Sequence, residues 1–224
     1  MYDIVFISYQ EPNADANYAT LKAKFPMAKR VHGVKGIHQA HIKAAKKCFT
    51  KMFWIVDADA IIMDNFNFDY VVPNHQLDHV HVWRSQNPVN DLVYGYGGVK
   101  LFPRKLTIVM DTSKPDMTTS ISPHFIAVEE VANITAFNTN PFEAWRSAFR
   151  ECAKLSSKTI LRQNDEETEN RLNIWCTKGS ERRCGDFAIA GANAGREFGI
   201  SNMADLNLIN NFEWLHEQFS KHTI

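Results

Sequence analysis

Through the first sixty residues, short apolar runs alternate with segments of helical spacing. Asp3-Ile4-Val5-Phe6-Ile7-Ser8 is a continuous apolar run, the pattern of a strand buried on both faces. The polar loop Tyr9-Gln10-Glu11-Pro12-Asn13 follows. Tyr18, Leu21 and Phe25 then recur at helical spacing through residues 15–25, and Pro26 ends that helix. Ala28-Lys29-Arg30-Val31-His32 predicts a second short strand, closed by Gly33. From Gly36 to Phe49, Ile37, Ala40, His41, Ala44, Ala45 and Cys48 share one helical face, while Gln39, Lys43, Lys46 and Lys47 share the other. Lys51 to Val56 returns as a buried strand that ends on Asp57 and Asp59. This strand, helix, strand, helix, strand order predicts an α/β fold whose parallel strands are joined by right-handed crossovers.

Beyond the aspartates the pattern changes. His79-Val80-His81-Val82-Trp83 alternates as a half-buried strand does. Tyr94-Gly95-Tyr96-Gly97-Gly98-Val99-Lys100-Leu101-Phe102 reads as a glycine-rich turn entering another strand, stopped by Pro103. Residues 111–124 are rich in Ser, Thr, Pro and Asp and predict a long loop. Asn140 caps a helix with Pro141 at its first position and an apolar stripe of Phe142, Trp145, Phe149 and Cys152. Asp165-Glu166-Glu167 opens a further helix, and Leu208, Phe212, Leu215 and Phe219 mark a last amphipathic one. A boundary near 140–160 separates an α/β part from a mostly helical tail.

The 224 residues suffice for one large α/β domain or a domain with a helical appendage. A formal net charge of zero gives no global attraction to nucleic acid or an anionic membrane, though it leaves room for local basic patches. No apolar run reaches the roughly 18 residues that span a bilayer. The start, Met1-Tyr2-Asp3-Ile4, has no basic, cleavable leader, so a cytosolic location is expected. The widely spaced Cys48, Cys152, Cys176 and Cys184 form no CxxC pair and read as reduced thiols.

Asp57-Ala58-Asp59 is the sharpest candidate for chemistry. Two carboxylates one residue apart, at the C-terminal end of a buried strand, lie where open α/β sheets bind ligands. Such a pair suits Mg²⁺ or Mn²⁺, which take few protein carboxylates and complete their shell with phosphate oxygens and water. The stretch Trp83-Arg84-Ser85-Gln86-Asn87-Pro88-Val89-Asn90-Asp91 is rich in sugar-binding side chains: Trp83 offers a platform, and Arg84, Asn87 and Asp91 offer polar contacts. Either Asp91 or the Glu129-Glu130 pair is a candidate base. Two basic clusters, Lys43, Lys46, Lys47 and Lys51, and Arg182-Arg183, read either as solvated faces or as contacts to a polyanion such as DNA.

Gly36 to Ala60 resembles the core of GT-A fold glycosyltransferases of the family 2 type, in which a glycine-led, Ala- and Lys-rich helix precedes an apolar strand ending in Asp-x-Asp. The chain is also similar in style to small glycosyltransferase-type proteins of tailed bacteriophages. The resemblance implies a GT-A-like, Rossmann-like, mostly parallel sheet flanked by helices over residues 1–140, with a helical region 141–224 packed on it. It implies a nucleotide-diphosphate sugar donor, a UDP-sugar first, held by Ser8, Tyr9 and Glu11 at base and ribose, by Lys35, His38 and Gln39 near the phosphates, and by Asp57, Trp83, Arg84, Gly97 and Gly98. Asp57 and Asp59 would hold the Mn²⁺ or Mg²⁺, with His124 or His216 as a third ligand by residue type. The acceptor hydroxyl, which in a phage setting could sit on a modified DNA base, would give its proton to Glu130 or Asp91, the base raised in pKa by partial burial. Family 2 enzymes usually present an Asp at this step, and Glu129-Glu130 has none, so the base and the stereochemical course stay open. A sugar nucleotidyltransferase would carry a glycine-rich loop after the first strand, and this chain has no glycine before Gly33. A non-catalytic nucleotide- or glycan-binding protein on the same fold is the other alternative.

Overall fold

A computed structural model describes residues 1–95, 97–158, 165–201 and 203–222. They fall into two compact units. One comprises Met1–Gln86 and Val93–Ala136, the other Asn87–Leu92 and Phe137–Ile224.

The first unit opens as its sequence pattern predicts: β1 (Asp3–Ser8), α1 (Ala14–Lys24), β2 (Lys29–His32), α2 (Ile37–Lys46) and β3 (Met52–Asp57). There follow β4 (Ala60–Ile62), β5 (Val80–Gln86), β6 (Val93–Tyr94), β7 (Val99–Pro103), α3 (Arg104–Ile108), α4 (Met117–Ile121) and β8 (Phe125–Thr135). The described strands form one sheet in the order β2-β1-β3-β7-β5-β8-β4, with β6 paired to the end of β5. β1 runs parallel to β2 and β3, and β5 runs parallel to β8. β7 lies antiparallel between β3 and β5, so five strands share one direction, while β4, β6 and β7 oppose them. The architecture is a mostly parallel α/β sheet flanked by helices, as the N-terminal pattern predicts.

Strand periodicity decides what each face holds. Ile4, Phe6, Met52, Trp54, Val56, Val99 and Leu101 pack with Leu21 of α1 and the segment around Phe66 and Phe68. The alternate residues Val5, Phe53, Ile55, Val82 and Phe102 pack with Ala44 and Ala45 of α2, with Cys48 just beyond that helix and with Met110. Continuous apolar runs are therefore needed in β1 and β3, because both faces are covered. The same alternation puts Asp57 and Lys100 on the α2 face.

One expectation changes here. Residues 111–124 are not loop throughout. Asp116 accepts hydrogen bonds from the Thr118 and Thr119 amides and so starts the short α4. The acidic pair Glu129-Glu130 lies inside β8. Against β5 the register jumps from Trp83↔Val128 to Arg84↔Val131, so these two glutamates form an irregular bulge.

The second unit holds α5 (Pro141–Ser156), α6 (Asp165–Thr177), α7 (Gly185–Ser201) and α8 (Phe212–His222). Asn140 caps α5 by accepting from the Glu143 amide at 2.9 Å, as expected. Leu208 does not belong to the last helix. It lies in a 3-10 segment, Met203–Asn210, and the Asn211 side chain accepts from the Trp214 amide to begin α8 anew. α7 carries a glycine ladder. A methyl group on Gly191 or Gly195 would lie 2.2 Å from the backbone carbonyl oxygen of Trp145 or Phe149, which are themselves one helical turn apart on α5. Bare backbone lets the two helices approach this closely.

Candidate functional site

Three chain ends meet along the C-terminal edge of β1, β2 and β3: the loop after Ser8, the turn from Gly33 into α2, and Asp57-Ala58-Asp59. Antiparallel β7 starts at the same edge, which brings Gly97 and Gly98 to Asp57. The aspartate loop is held from several sides. Gly98 donates its amide to Asp57 Oδ2 at 3.2 Å and its carbonyl accepts from the Asp57 amide at 2.8 Å. Asn17 of α1 donates to the Ala58 carbonyl at 2.8 Å, and the Ala136 amide donates to the Asp59 carbonyl at 2.7 Å.

Lys100 is the residue that sequence reasoning missed. It sits in the middle of β7 between Ile55 and Val82, buried, and its ammonium donates to Asp57 Oδ2 at 2.5 Å. The signal was a lone cation in the apolar run Val99-Lys100-Leu101-Phe102. Burial pushes the Asp57 carboxyl up, but the Lys100 ammonium and the Gly98 amide outweigh it and hold the group below the usual carboxylate range. Beneath them His41 of α2 is buried. Its Nδ1 lies 2.8 Å from the Ile37 carbonyl oxygen and its Nε2 has no hydrogen-bond partner among the described residues. Burial first, then the Lys100 cation, press its pKa down to about 4, so the imidazole stays neutral at pH 7.

The residues suit a hard cation in a limited way. Asp57 is about a third exposed, and no described residue hydrogen-bonds to its Oδ1. Asp59 is half-buried beside it. Among the described residues no group of three or more His, Cys, Asp or Glu side chains could hold a metal ion. Two carboxylates completed by phosphate oxygens is the coordination this edge can offer.

The expected nucleotide loop is ordered around itself. The Tyr9 amide donates to Glu11 at 2.7 Å, and the Ser8 hydroxyl meets His32 and Arg30, each at 2.9 Å. α2 begins at Gly36 with no side-chain cap and no acid in its first turn, which leaves its amides open to an anion. Lys35 and Gln39 are exposed there, and His38 Nε2 lies 3.1 Å from the Ser120 hydroxyl. Below the glycines, the Ser85 hydroxyl lies 2.8 Å from the Gly97 carbonyl oxygen and 2.7 Å from Asn133. Tyr96 of the glycine segment lies outside the described residues.

Other expected residues stand elsewhere. Trp83 is no open platform: it is fully buried, its ring 4.5 Å from that of Trp54, and its indole N–H reaches Glu130 at 3.2 Å. Core packing claimed the ring because Trp83 falls on an inward position of β5. Glu130 is exposed, so the partial burial expected of the base is missing. Arg84 pairs with Glu129 at 3.4 Å. Asp91 belongs to the second unit, where Arg182 pairs with it at 3.0 Å. His216, also in the second unit, stacks on Phe142. His124 precedes β8 at the edge opposite Asp57, with its ring against His79. Lys46, Lys47 and Lys51 flank the start of β3, again away from Asp57, and Lys47 donates to the Arg30 carbonyl. Arg183 donates to the Thr139 carbonyl.

No described helix is long and apolar enough to cross a membrane. No protein-family model and no curated protein sequence matches the chain. Among solved structures, HddC from Yersinia pseudotuberculosis is similar at 13% identity and a TM-score of 0.38, over 59% of this chain and 92% of that one. The mannosyltransferase PcManGT from Pyrobaculum calidifontis, solved in complex with GDP-Man and Mn²⁺, is similar at 11% identity and a TM-score of 0.46, over 99% of this chain and 84% of that one.

Proposed function

We propose that the protein is a glycosyltransferase that moves a sugar from a nucleotide-diphosphate sugar, a UDP-sugar first, to an acceptor hydroxyl. The observation that carries this reading is the meeting of Asp57, Asp59, Lys100 and the uncapped start of α2 at one edge of the sheet. The leaving group of such a transfer is a diphosphate, and this edge offers the cation and open amides that a diphosphate requires. Mn²⁺ or Mg²⁺, held by Asp57 and Asp59, would add neutralising charge on the departing diphosphate.

The chain's own residues divide the remaining work. Tyr9 and Glu11 sit where a base and ribose would be held, and Lys35, His38 and Gln39 flank the phosphates. Gly97 and Gly98 bring the β7 backbone close to the sugar. The acceptor proton passes to a carboxylate, and Glu130 is the candidate within this unit. The lysines around the start of β3 lie away from the aspartate edge, so they lend no support to a DNA acceptor. A hydroxymethylated DNA duplex therefore enters only as one member of an acceptor panel.

The test is hydrolysis of a panel of sugar nucleotides with Mn²⁺ present. Release of nucleoside diphosphate from one donor, lost in Asp59→Ala and kept in a surface variant such as Lys105→Ala, is the expected result. No release from any donor, or release that Asp59→Ala leaves unchanged, would contradict the reading.

A further inference from the structure

We infer that Lys100 competes with the divalent cation for Asp57, so that the site holds metal firmly only together with a diphosphate. The inference rests on the nucleotide-sugar reading above and deepens it by coupling the two ligands.

A buried ammonium in the middle of a sheet requires an anion, and among the described residues Lys100 has one hydrogen-bonded partner, Asp57 Oδ2, at 2.5 Å. Lys100 offsets the charge of Asp57, one of the two carboxylates that would face a dication. A cation approaching Asp57 Oδ1 also meets the ammonium on the other oxygen of the same carboxylate, and like charges this close repel. Metal alone is therefore held weakly.

A diphosphate changes both conditions. It brings negative charge and oxygen ligands for the metal. It also gives Lys100, a flexible stem with three rotatable donors, a second acceptor. Lys100 can then turn from Asp57 to a phosphate oxygen, which frees the carboxylate. Linkage makes the effect reciprocal: whatever factor UDP adds to Mn²⁺ affinity, Mn²⁺ adds to UDP affinity.

The experiment measures free Mn²⁺ by electron paramagnetic resonance during titration of the full chain, with and without UDP. It compares wild type with Lys100→Met and, should that variant unfold, with Lys100→Gln. In wild type, UDP is expected to tighten Mn²⁺ binding at least about tenfold. In the Lys100 variant, Mn²⁺ alone is expected to bind about tenfold more tightly than in wild type, with a smaller gain from UDP. Equal or weaker Mn²⁺ binding by the Lys100 variant in the absence of UDP would overturn the inference. That comparison contains no nucleotide. Failure of the inference is thus distinct from failure of the nucleotide-sugar reading, which would appear as no UDP binding by wild type at any Mn²⁺ concentration.

Discussion

Gly98 combines a backbone that side chains avoid with no room for one. Its φ is +80°, and a methyl group there would lie 2.2 Å from the Asn133 amide group. Asn133 is itself fixed, fully buried against Ser85 and Thr135. Gly98→Ala is therefore expected to destabilise the fold by about 2–3 kcal/mol, and to loosen the Asp57 carboxylate that the Gly98 amide orients. Urea denaturation checks the first effect, and stability within error of wild type would contradict it. At this scale the sequence showed only part of the site. Asp57 and Asp59 were legible because they end an apolar strand. Lys100 was not, because its partner lies 43 residues away in sequence and only the antiparallel register of β3 and β7 brings the two together. Trp83 misled for the opposite reason: its residue type suits a sugar platform equally well as a core, and three-dimensional packing chose the core.

Among elements, the first five were legible to within about three residues, since each has a strong period and a clear stop. β8 and α7 were not. The first half of β8 pairs on one side only, with β5, and its exposed Glu129-Glu130 bulge breaks the alternation that marks a strand. α7 has Gly191, Gly195 and Gly199 at four-residue spacing, and glycine normally argues against a helix. What overrides propensity is the close fit to α5. Gly195→Ala puts a methyl group 2.2 Å from the Phe149 carbonyl oxygen, a backbone atom that cannot step aside. A loss of about 2 kcal/mol is expected, with weakened near-ultraviolet circular dichroism from Trp145 and its neighbours. A neutral or stabilising effect, as helix propensity alone would give, would contradict the packing account.

For the molecule as a whole, the buried imidazoles set the acid limb of stability. Burial holds His41 and His81 at about 4, against 6.5 for a free histidine. Between these values the unfolded chain binds protons that the native one refuses, so stability falls as pH drops from about 6.5 to about 4. Each histidine accounts for up to about 3 kcal/mol of that fall. Asp3 acts lower. Burial opposes its ionisation, but Lys29, the Phe49 and Thr50 amides and the Thr50 hydroxyl together lower its carboxyl to about 2. Its contribution, about 2 kcal/mol, is present above pH 4 and is lost as pH falls from about 4 to about 2. Denaturation midpoints from pH 8 to pH 2 should show both windows. His81→Phe should flatten the upper one and Asp3→Asn the lower one, while a profile flat from pH 7 to pH 4 would contradict the assignment.

The central claim is that the edge carrying Asp57 and Asp59 binds a nucleoside diphosphate with a divalent cation. Isothermal titration of UDP into the full chain with Mn²⁺ present, for wild type and Asp59→Ala, tests it most directly. The account predicts saturable binding by wild type, weakened at least about tenfold in Asp59→Ala. No binding by wild type, or equal binding by both proteins, would contradict it.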